Sequence, residues 1–302
     1  MDSTSTIATY HANEFSLGDS IQIKDLNFKS TGGDNYLNHD LSWEQGTHPT
    51  SHVTWETTIN GPNVFEIVLN PSSFFIDDKK WNIARKSEFN FEENKLAIDT
   101  FELKRNDQYI SIFGEISDNE IDKLNFKISD LRLGEISNFI STDYPMNGRI
   151  NAVGFIANPF NDLNFKANGQ LTQFHVKEQK VGNIAIQAEW DKTKQAISTN
   201  GDLTYIEEKT FDFTGDYYIF EKDNNLNFDL NFDNTDIQFT NAFMDPKVLS
   251  EIRGMLFGKI DLGGTFTHPI LDGTIDLKGG SMFMDILGVH LGVDGPINVD
   301  KD

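Results

Sequence analysis

Apolar and polar residues alternate with a period of two along most of this chain, which is the pattern of β-strands that have one apolar face. Residues 226–233 read LNFDLNFD, and shorter segments such as 124–129 and 274–277 repeat the pattern. Asn200-Gly201 and Asp272-Gly273 are typical turn signals, which favours an antiparallel meander. At roughly 10 to 14 residues for each strand and its turn, we expect about 20 to 25 strands.

Helical signals are confined to two segments. Asp245-Pro246, followed by apolar residues and by Gly254, predicts a helix of about two turns over 245–254. Residues 134–140 (GEISNFI) predict a second short helix. The chain has 25 Phe against 11 Ala, and Phe prefers a pleated surface whereas Ala prefers a helix. An all-β fold with one or two short helices is therefore expected.

The chain also contains an internal repeat. A shift of 110 residues superposes Gly148 on Gly258, Gly154 on Gly264, Pro159 on Pro269 and Gly169 on Gly279. Proline cannot occupy a central strand, so both prolines are expected at turns. We expect repeat units at 89–188 and 189–302 and a more divergent first part at 1–88. Together they would form one continuous, elongated antiparallel sheet in which each unit contacts its neighbours.

Charge and cysteine content exclude several classes of protein. The 302 residues include 25 Lys plus Arg against 47 Asp plus Glu, a net charge of −22. This balance argues against binding to nucleic acid and against docking on an anionic membrane through basic residues. The absence of cysteine excludes disulfides and thiolate chemistry. No apolar run approaches the roughly 18 residues of a membrane helix. The first 15 residues lack a cationic patch followed by an apolar stretch, so we do not expect them to act as a signal peptide.

No residue pattern indicates catalysis or metal binding. His48 and His52 are four residues apart, but Pro49 between them favours a loop over a helical metal site. The acidic segment 223–236 lacks the Gly and Glu of a calcium-binding loop, so we interpret it as a solvated strand face. Nucleotide-binding and hydrolase motifs are absent from the sequence. We therefore predict no enzyme activity, no cofactor and no metal.

The apolar face of such a sheet has to be covered or occupied. Helices are too scarce to cover it, which leaves a closed sandwich or a curled trough that holds a ligand. Composition alone favours the closed core. The apolar residues in the strand pattern are Leu124, Phe126, Ile128, Ile150, Phe165, Phe211, Phe213, Leu226, Phe228, Leu230, Phe232, Ile260, Leu262, Ile275 and Leu277.

The segment 253–282 (RGMLFGKIDLGGTFTHPILDGTIDLKGGSM) resembles the repeat signature of the TamB/AsmA-like envelope proteins. In that signature, a strand of the form G-x-hydrophobic-x-hydrophobic-x-G is followed by a Pro-containing turn and a second strand. Residues 146–171 resemble a second copy, in which Leu163 stands where the pattern has Gly. The segment from Phe74 through residue 117 is similar to members from Bacteroidota. The resemblance covers roughly residues 64–300.

This resemblance implies a fold and a function. Members of the family are anchored in the inner membrane, span the periplasm of double-membraned bacteria, and form a U-shaped sheet called a β-taco. They are implicated in phospholipid movement to the outer membrane, so the apolar residues named above would line an open groove for acyl chains. The chain would then be a periplasmic piece of a longer protein that contacts membranes through other parts.

Two further functions stay open. The family is also tied to the assembly of outer-membrane β-barrel proteins with an Omp85-type partner. A chain of this kind would then act as a scaffold or chaperone that captures nascent strands at its sheet edges. A surface adhesin or glycan-binding solenoid is the third alternative. It would need exposed aromatic platforms, whereas most aromatic residues here lie in the apolar phase of the strands.

Overall fold

The computed structural model describes residues 5–17, 21–76, 79–136, 145–159, 161–205, 208–242, 244–245, 247–265 and 268–300. Strand accounts for 76% of the described residues, and twenty strands within that part of the chain form an antiparallel sheet. The all-β fold class and the lower end of the expected strand number are thus confirmed.

The strands are numbered along the chain. The first ten are β1 (Ser5–Leu17), β2 (Ile21–Gly33), β3 (Tyr36–Glu44), β4 (Ser51–Gly61), β5 (Val64–Leu69), β6 (Ser72–Ile76), β7 (Lys79–Ile83), β8 (Ser87–Glu92), β9 (Lys95–Arg105) and β10 (Gln108–Ile116). The second ten are β11 (Leu124–Arg132), β12 (Met146–Ala157), β13 (Asn164–Val176), β14 (Gln179–Asp191), β15 (Ala196–Tyr205), β16 (Glu208–Tyr217), β17 (Leu226–Asp236), β18 (Leu249–Gly264), β19 (Pro269–Met284) and β20 (Val289–Val299). The two helical elements are α1 (Leu133–Ile136) and a 3-10 helix (Ile237–Ala242).

The chain forms two compact units. Unit 1 comprises residues 1–131 and 153–164, and unit 2 comprises residues 132–152 and 165–302. The repeat boundaries expected from the sequence, 89–188 and 189–302, stay a prediction.

Unit 1 is a meander whose middle is divided into two levels. β4 pairs with both β5 and β6, and β9 pairs with both β7 and β8. β5 pairs with β8, and β6 pairs with β7. The sheet between β4 and β9 therefore consists of two levels, one formed by β5 and β8 and the other by β6 and β7. Strand structure is interrupted between β5 and β6 at Asn70-Pro71, because proline has no N–H to donate to the ladder. The Asn70 N–H still donates to the Thr54 carbonyl at 3.0 Å, which keeps the two levels in line.

Unit 2 continues as a simple meander from β13 to β20, in which each strand pairs with the next. Pro159 lies in the turn after β12, and Pro269 is the first residue of β19. Neither proline interrupts the middle of a strand, as the repeat predicts.

The 3-10 helix packs against the sheet of unit 2. It packs against both β14 and β18, which are separated in the ladder by three strands. Four strand spacings of about 4.8 Å come to about 19 Å, wider than a helix, so the strands between them must curl around the 3-10 helix. Phe239 of this helix contacts Phe211 of β16, with 5.6 Å between the ring centroids.

The Asn241 side chain joins the 3-10 helix to β18. Its amide nitrogen donates to the Ile252 carbonyl at 3.0 Å, and its oxygen accepts from the Ile252 N–H at 3.1 Å. The ladder between β18 and β19 shifts register between Ser250 and Arg253. Asn241 therefore takes the place of a neighbouring strand at this irregular position.

The helix predicted over 245–254 is wrong. Residues 247 and 248 form a turn and β18 begins at Leu249, while Pro246 lies outside the described residues. Ile252, Leu256 and Ile260 are buried four residues apart. Glycines occupy the positions midway between them on the same strand face, so a spacing that suits a helix belongs to a strand.

The second predicted helix begins as expected, because α1 covers residues 133–136, and residues 137–140 lie outside the described part. Both turn signals fall inside strands, since Asn200-Gly201 lies in β15 and Asp272-Gly273 in β19. No helix among the described residues is long and apolar enough to cross a membrane.

Candidate functional site

Directly paired residues of an antiparallel ladder place their side chains on the same side of the sheet. Phe213 pairs with Leu230, and Leu230 pairs with Ile260, so these three residues share one face. The same register extends this face over β13 to β20, and we call it the apolar face of unit 2. Register places most of the predicted residues on it, and Ile150 joins them through its contacts with the buried cluster around Phe174. These predicted residues are Ile150, Phe165, Phe211, Phe213, Leu226, Phe228, Leu230, Phe232, Ile260, Leu262, Ile275 and Leu277.

The remaining three predicted residues share a face in unit 1. Leu124, Phe126 and Ile128 of β11 pair with Gly114, Ile112 and Ile110 of β10. We call this side of the sheet the apolar face of unit 1.

Burial divides the predicted residues into two groups. Leu226, Ile260 and Leu277 are only 3%, 6% and 1% exposed, so they belong to the core. The others are half-buried, and none is fully exposed. The middle of the apolar face of unit 2 therefore still presents apolar surface, as a ligand-binding face would.

Charge is distributed unequally between the two sides of the sheet. In the central parts of β13–β20, none of the residues that the register places on the apolar face carries a formal charge. On the opposite side, Asp229, Lys259 and Asp261 are exposed. The acidic excess of this part of the chain therefore lies on the polar side.

Glycines on the apolar face receive side chains from the neighbouring strand. A Cβ atom added to Gly201 would lie 2.5 Å from Cζ of Phe213, and one added to Gly215 would lie 2.6 Å from Cγ of Phe228. The aromatic side chains thus occupy the space above the glycines, which makes the surface of the apolar face flatter. Sequence reasoning missed this role, because Asn200-Gly201 has the composition of a turn.

Sequence reasoning also missed several members of the face. Ile186 of β14 pairs with Gly201, and Ile297 of β20 pairs with Ile275. The strict alternation of β20 (VHLGVDGPINV) is a signal that could have identified Ile297.

A row of aromatic rings lies on the apolar face of unit 1, where His39 stacks between Phe28 and Trp55. The ring centroid of His39 is 5.8 Å from that of Phe28 and 4.9 Å from that of Trp55. Desolvation by burial lowers the pKa of His39. Its Nε2 atom lies 3.1 Å from the Thr57 hydroxyl, and its Nδ1 atom is buried without a hydrogen-bond partner. A neutral imidazole fits this surface better than a charged one.

Asp216 is a buried carboxylate on the polar side of unit 2. Asp216 accepts hydrogen bonds from Lys194 Nζ at 2.9 and 3.0 Å and from the Ser198 hydroxyl at 2.6 Å. The hydrogen bond to Asp216 raises the pKa of Lys194, so Lys194 keeps its positive charge near neutral pH. The group is a structural ion pair, because its carboxylate is already fully engaged.

The two candidate metal ligands do not form a helical pair. His48 lies in a turn, with its ring stacked on Phe75, while His52 is in β4 and contacts Asp40 at 2.9 Å. Within the described ranges, no group of three or more His, Cys, Asp or Glu residues is arranged to hold a metal ion.

Comparisons of the chain with protein-family models, curated proteins and solved structures found no match.

Proposed function

We propose that the apolar faces carry phospholipid acyl chains between two membranes, as in the TamB/AsmA-like envelope proteins. In this proposal the chain is a periplasmic segment of a protein that is anchored in the inner membrane of a double-membraned bacterium. The observation that carries the proposal is the half-buried, uncharged centre of the apolar face of unit 2.

Physical chemistry explains why such a face suits an acyl chain. Each methylene that leaves water contributes about 0.8 kcal/mol, and the contribution needs no directed contact. A chain can therefore slide from Phe228 to Ile260 or Ile275 without breaking a specific bond. Head groups would stay in water, and the charged polar side of the sheet would keep the protein soluble.

The dimensions of unit 2 also suit an acyl chain. Seven successive pairings connect β13 to β20, which at about 4.8 Å for each pairing carry the face across about 34 Å. One leaflet of a bilayer has a hydrocarbon depth of about 15 Å, half of the usual core. The face is thus long enough for an extended acyl chain to lie across several strands.

A scaffold for β-barrel precursors, acting with an Omp85-type partner, is the second candidate function. Its supporting observation is β1, which pairs only with β2 among the described strands and exposes Ile7 and Tyr10. An unpaired edge of this kind can accept an additional strand.

The test of the lipid proposal places one charge on either side of the same strand. Ile275 is half-buried on the apolar face, and Thr274 is exposed on the polar side. A carboxylate at position 275 must be desolvated or must draw water into the path of the acyl chain, which costs several kcal/mol. Ile275→Asp is therefore expected to reduce the phospholipid that co-purifies with the protein at least tenfold, as measured by native mass spectrometry.

Thr274→Asp is the matched control and should retain as much lipid as the unmodified chain. Ile260 is less suitable for this test, because it is buried and Ile260→Asp would unfold the strand. Equal lipid retention by the Ile275→Asp and Thr274→Asp variants would contradict the proposal and favour the scaffold.

A further inference from the structure

The turn between β19 and β20 is an exposed apolar tip. All residues from Asp285 to His290 are exposed, and within the turn Ile286 and Leu287 are 68% and 66% exposed. Two adjacent aliphatic side chains that point into water are unusual in a turn, where polar residues and glycine predominate.

Hydrogen bonds hold the tip in a defined conformation. The N–H groups of Leu287 and Gly288 donate to the Met284 carbonyl at 3.1 and 2.8 Å. The Asp285 N–H donates to the Val248 carbonyl at 3.2 Å, which brings the turn before β18 beside the tip. Val248 and Val289 are exposed as well. We call Val248, Ile286, Leu287 and Val289 the tip patch.

The tip patch continues the apolar face of unit 2. Met284 pairs with Val289 and Met282 pairs with Leu291, on the same side of the ladder as Ile275. Apolar side chains therefore extend from the centre of the face to the exposed turn, with no charged side chain among these four residues.

The composition of the tip patch favours lipid over protein as its partner. Protein interfaces concentrate their binding energy in Trp, Tyr and Arg, and Leu and Val are under-represented among such residues. The tip patch is entirely aliphatic. Its charged neighbours are Asp245, Lys247 and Asp285, a mixed group with no excess of cations to attract anionic lipids.

We propose that the tip patch inserts into the interface of a zwitterionic bilayer and brings the end of the apolar face against the lipid acyl chains. This proposal rests on the proposed function, because it identifies where the acyl chains would enter or leave unit 2. Attachment is by burial of aliphatic surface, so it should not weaken when salt is raised.

Co-flotation of the whole chain with phosphatidylcholine vesicles tests the proposal. The unmodified chain is expected to float at both low and high salt. The double variant Ile286→Ser, Leu287→Ser should bind the vesicles about 100-fold more weakly, since each lost side chain removes about a tenfold factor. The control is Ile121→Ser in the turn before β11, where the side chain is 79% exposed and its chain neighbours Glu120 and Asp122 are charged.

The outcomes separate this proposal from the proposed function. Loss of flotation by the double variant alone, with unchanged co-purified lipid and unfolding temperature, would support the tip patch. Failure of the unmodified chain to float, or equal flotation of the double variant, would overturn it. Concentration-dependent dimers that the double variant abolishes, without any vesicle binding, would also overturn it. If the chain floats through the tip patch but never retains lipid, membrane attachment by the tip patch is supported and the proposed carriage of acyl chains is contradicted.

Discussion

Phe228 lies over Gly215, and this contact predicts that even one methyl group at position 215 destabilises unit 2. An alanine Cβ there would clash with the Asn227 carbonyl oxygen and would lie 2.6 Å from both Cα and Cγ of Phe228, whereas ordinary carbon contacts are about 3.5 to 4.0 Å. Because Cα belongs to the backbone of β17, rotation of the Phe228 side chain cannot relieve the clash. The two strands would have to separate by about 1 Å.

The magnitude follows from two opposing effects. Overpacking of a well-packed site costs about 1 to 3 kcal/mol, whereas replacing Gly by Ala gains about 0.4 to 1 kcal/mol by restricting the unfolded chain. Gly215→Ala is therefore expected to lower the free energy of unfolding by about 1 to 2 kcal/mol. In a domain of this size each kcal/mol corresponds to about 2 to 4 °C in Tm, so thermal melts followed by circular dichroism should fall by about 2 to 8 °C.

Gly292 in β20 provides the matched control. The nearest atom to a Cβ added there is the Gly280 carbonyl oxygen at 4.0 Å, so alanine fits without displacement. Gly292→Ala should leave Tm unchanged or raise it slightly. If Gly215→Ala melts at or above the temperature of Gly292→Ala, the glycines of the apolar face do not serve as receiving positions and the reasoning is refuted.

Three further predictions concern hydrogen bonding and protonation. Asn241→Ala should cost about 1 to 3 kcal/mol in urea unfolding, because it leaves the Ile252 N–H and carbonyl unpaired, whereas Gln238→Ala on the same 3-10 helix should cost little. The lowered pKa of His39 means that the unfolded chain takes up a proton first as pH falls below about 6.5, so stability drops. His39→Phe should therefore stabilise more at pH 5.5 than at pH 7.5. His11, whose pKa is raised mainly by hydrogen bonds to asparagine side chains, should behave oppositely, so His11→Phe should cost more at pH 5.5. The reverse signs in thermal melts, or equal costs for the two amide variants, would contradict these assignments.

The period-two alternation predicts the fold class because a sheet with one solvent-exposed face and one apolar face requires alternating polar and apolar residues in every strand. The segment 226–236 became β17 with its Leu and Phe side chains on one face. Fourteen of the fifteen apolar residues chosen from this pattern fall on the apolar face of their own unit, because register follows from pairing each strand with the next. Ile150 joins that face by packing against the buried cluster around Phe174. Their division into core and half-buried residues could not be predicted, since it depends on where the curled strands and the 3-10 helix meet.

Glycine caused the main errors of the sequence prediction. Gly201 and Gly273 follow Asn or Asp, as in tight hairpins, yet both lie within strands that a neighbouring strand approaches closely. Gly254 and Gly258 separate the large apolar residues of β18 into a four-residue spacing, which imitates a helix. Local propensity cannot distinguish these cases, because the deciding contact comes from a strand that is distant in sequence.

Photo-crosslinking of lipid to single positions on the two sides of β17 tests the central claim most directly. A benzophenone amino acid at Leu230 would face the proposed acyl path, and one at Asp229 would lie on the opposite, exposed side. The account predicts phospholipid adducts, identified by mass spectrometry of the irradiated protein, at position 230 and none at position 229. Adducts at both positions, or at position 229 alone, would show that the apolar face is not the lipid path, and adducts at neither position would contradict lipid carriage by unit 2.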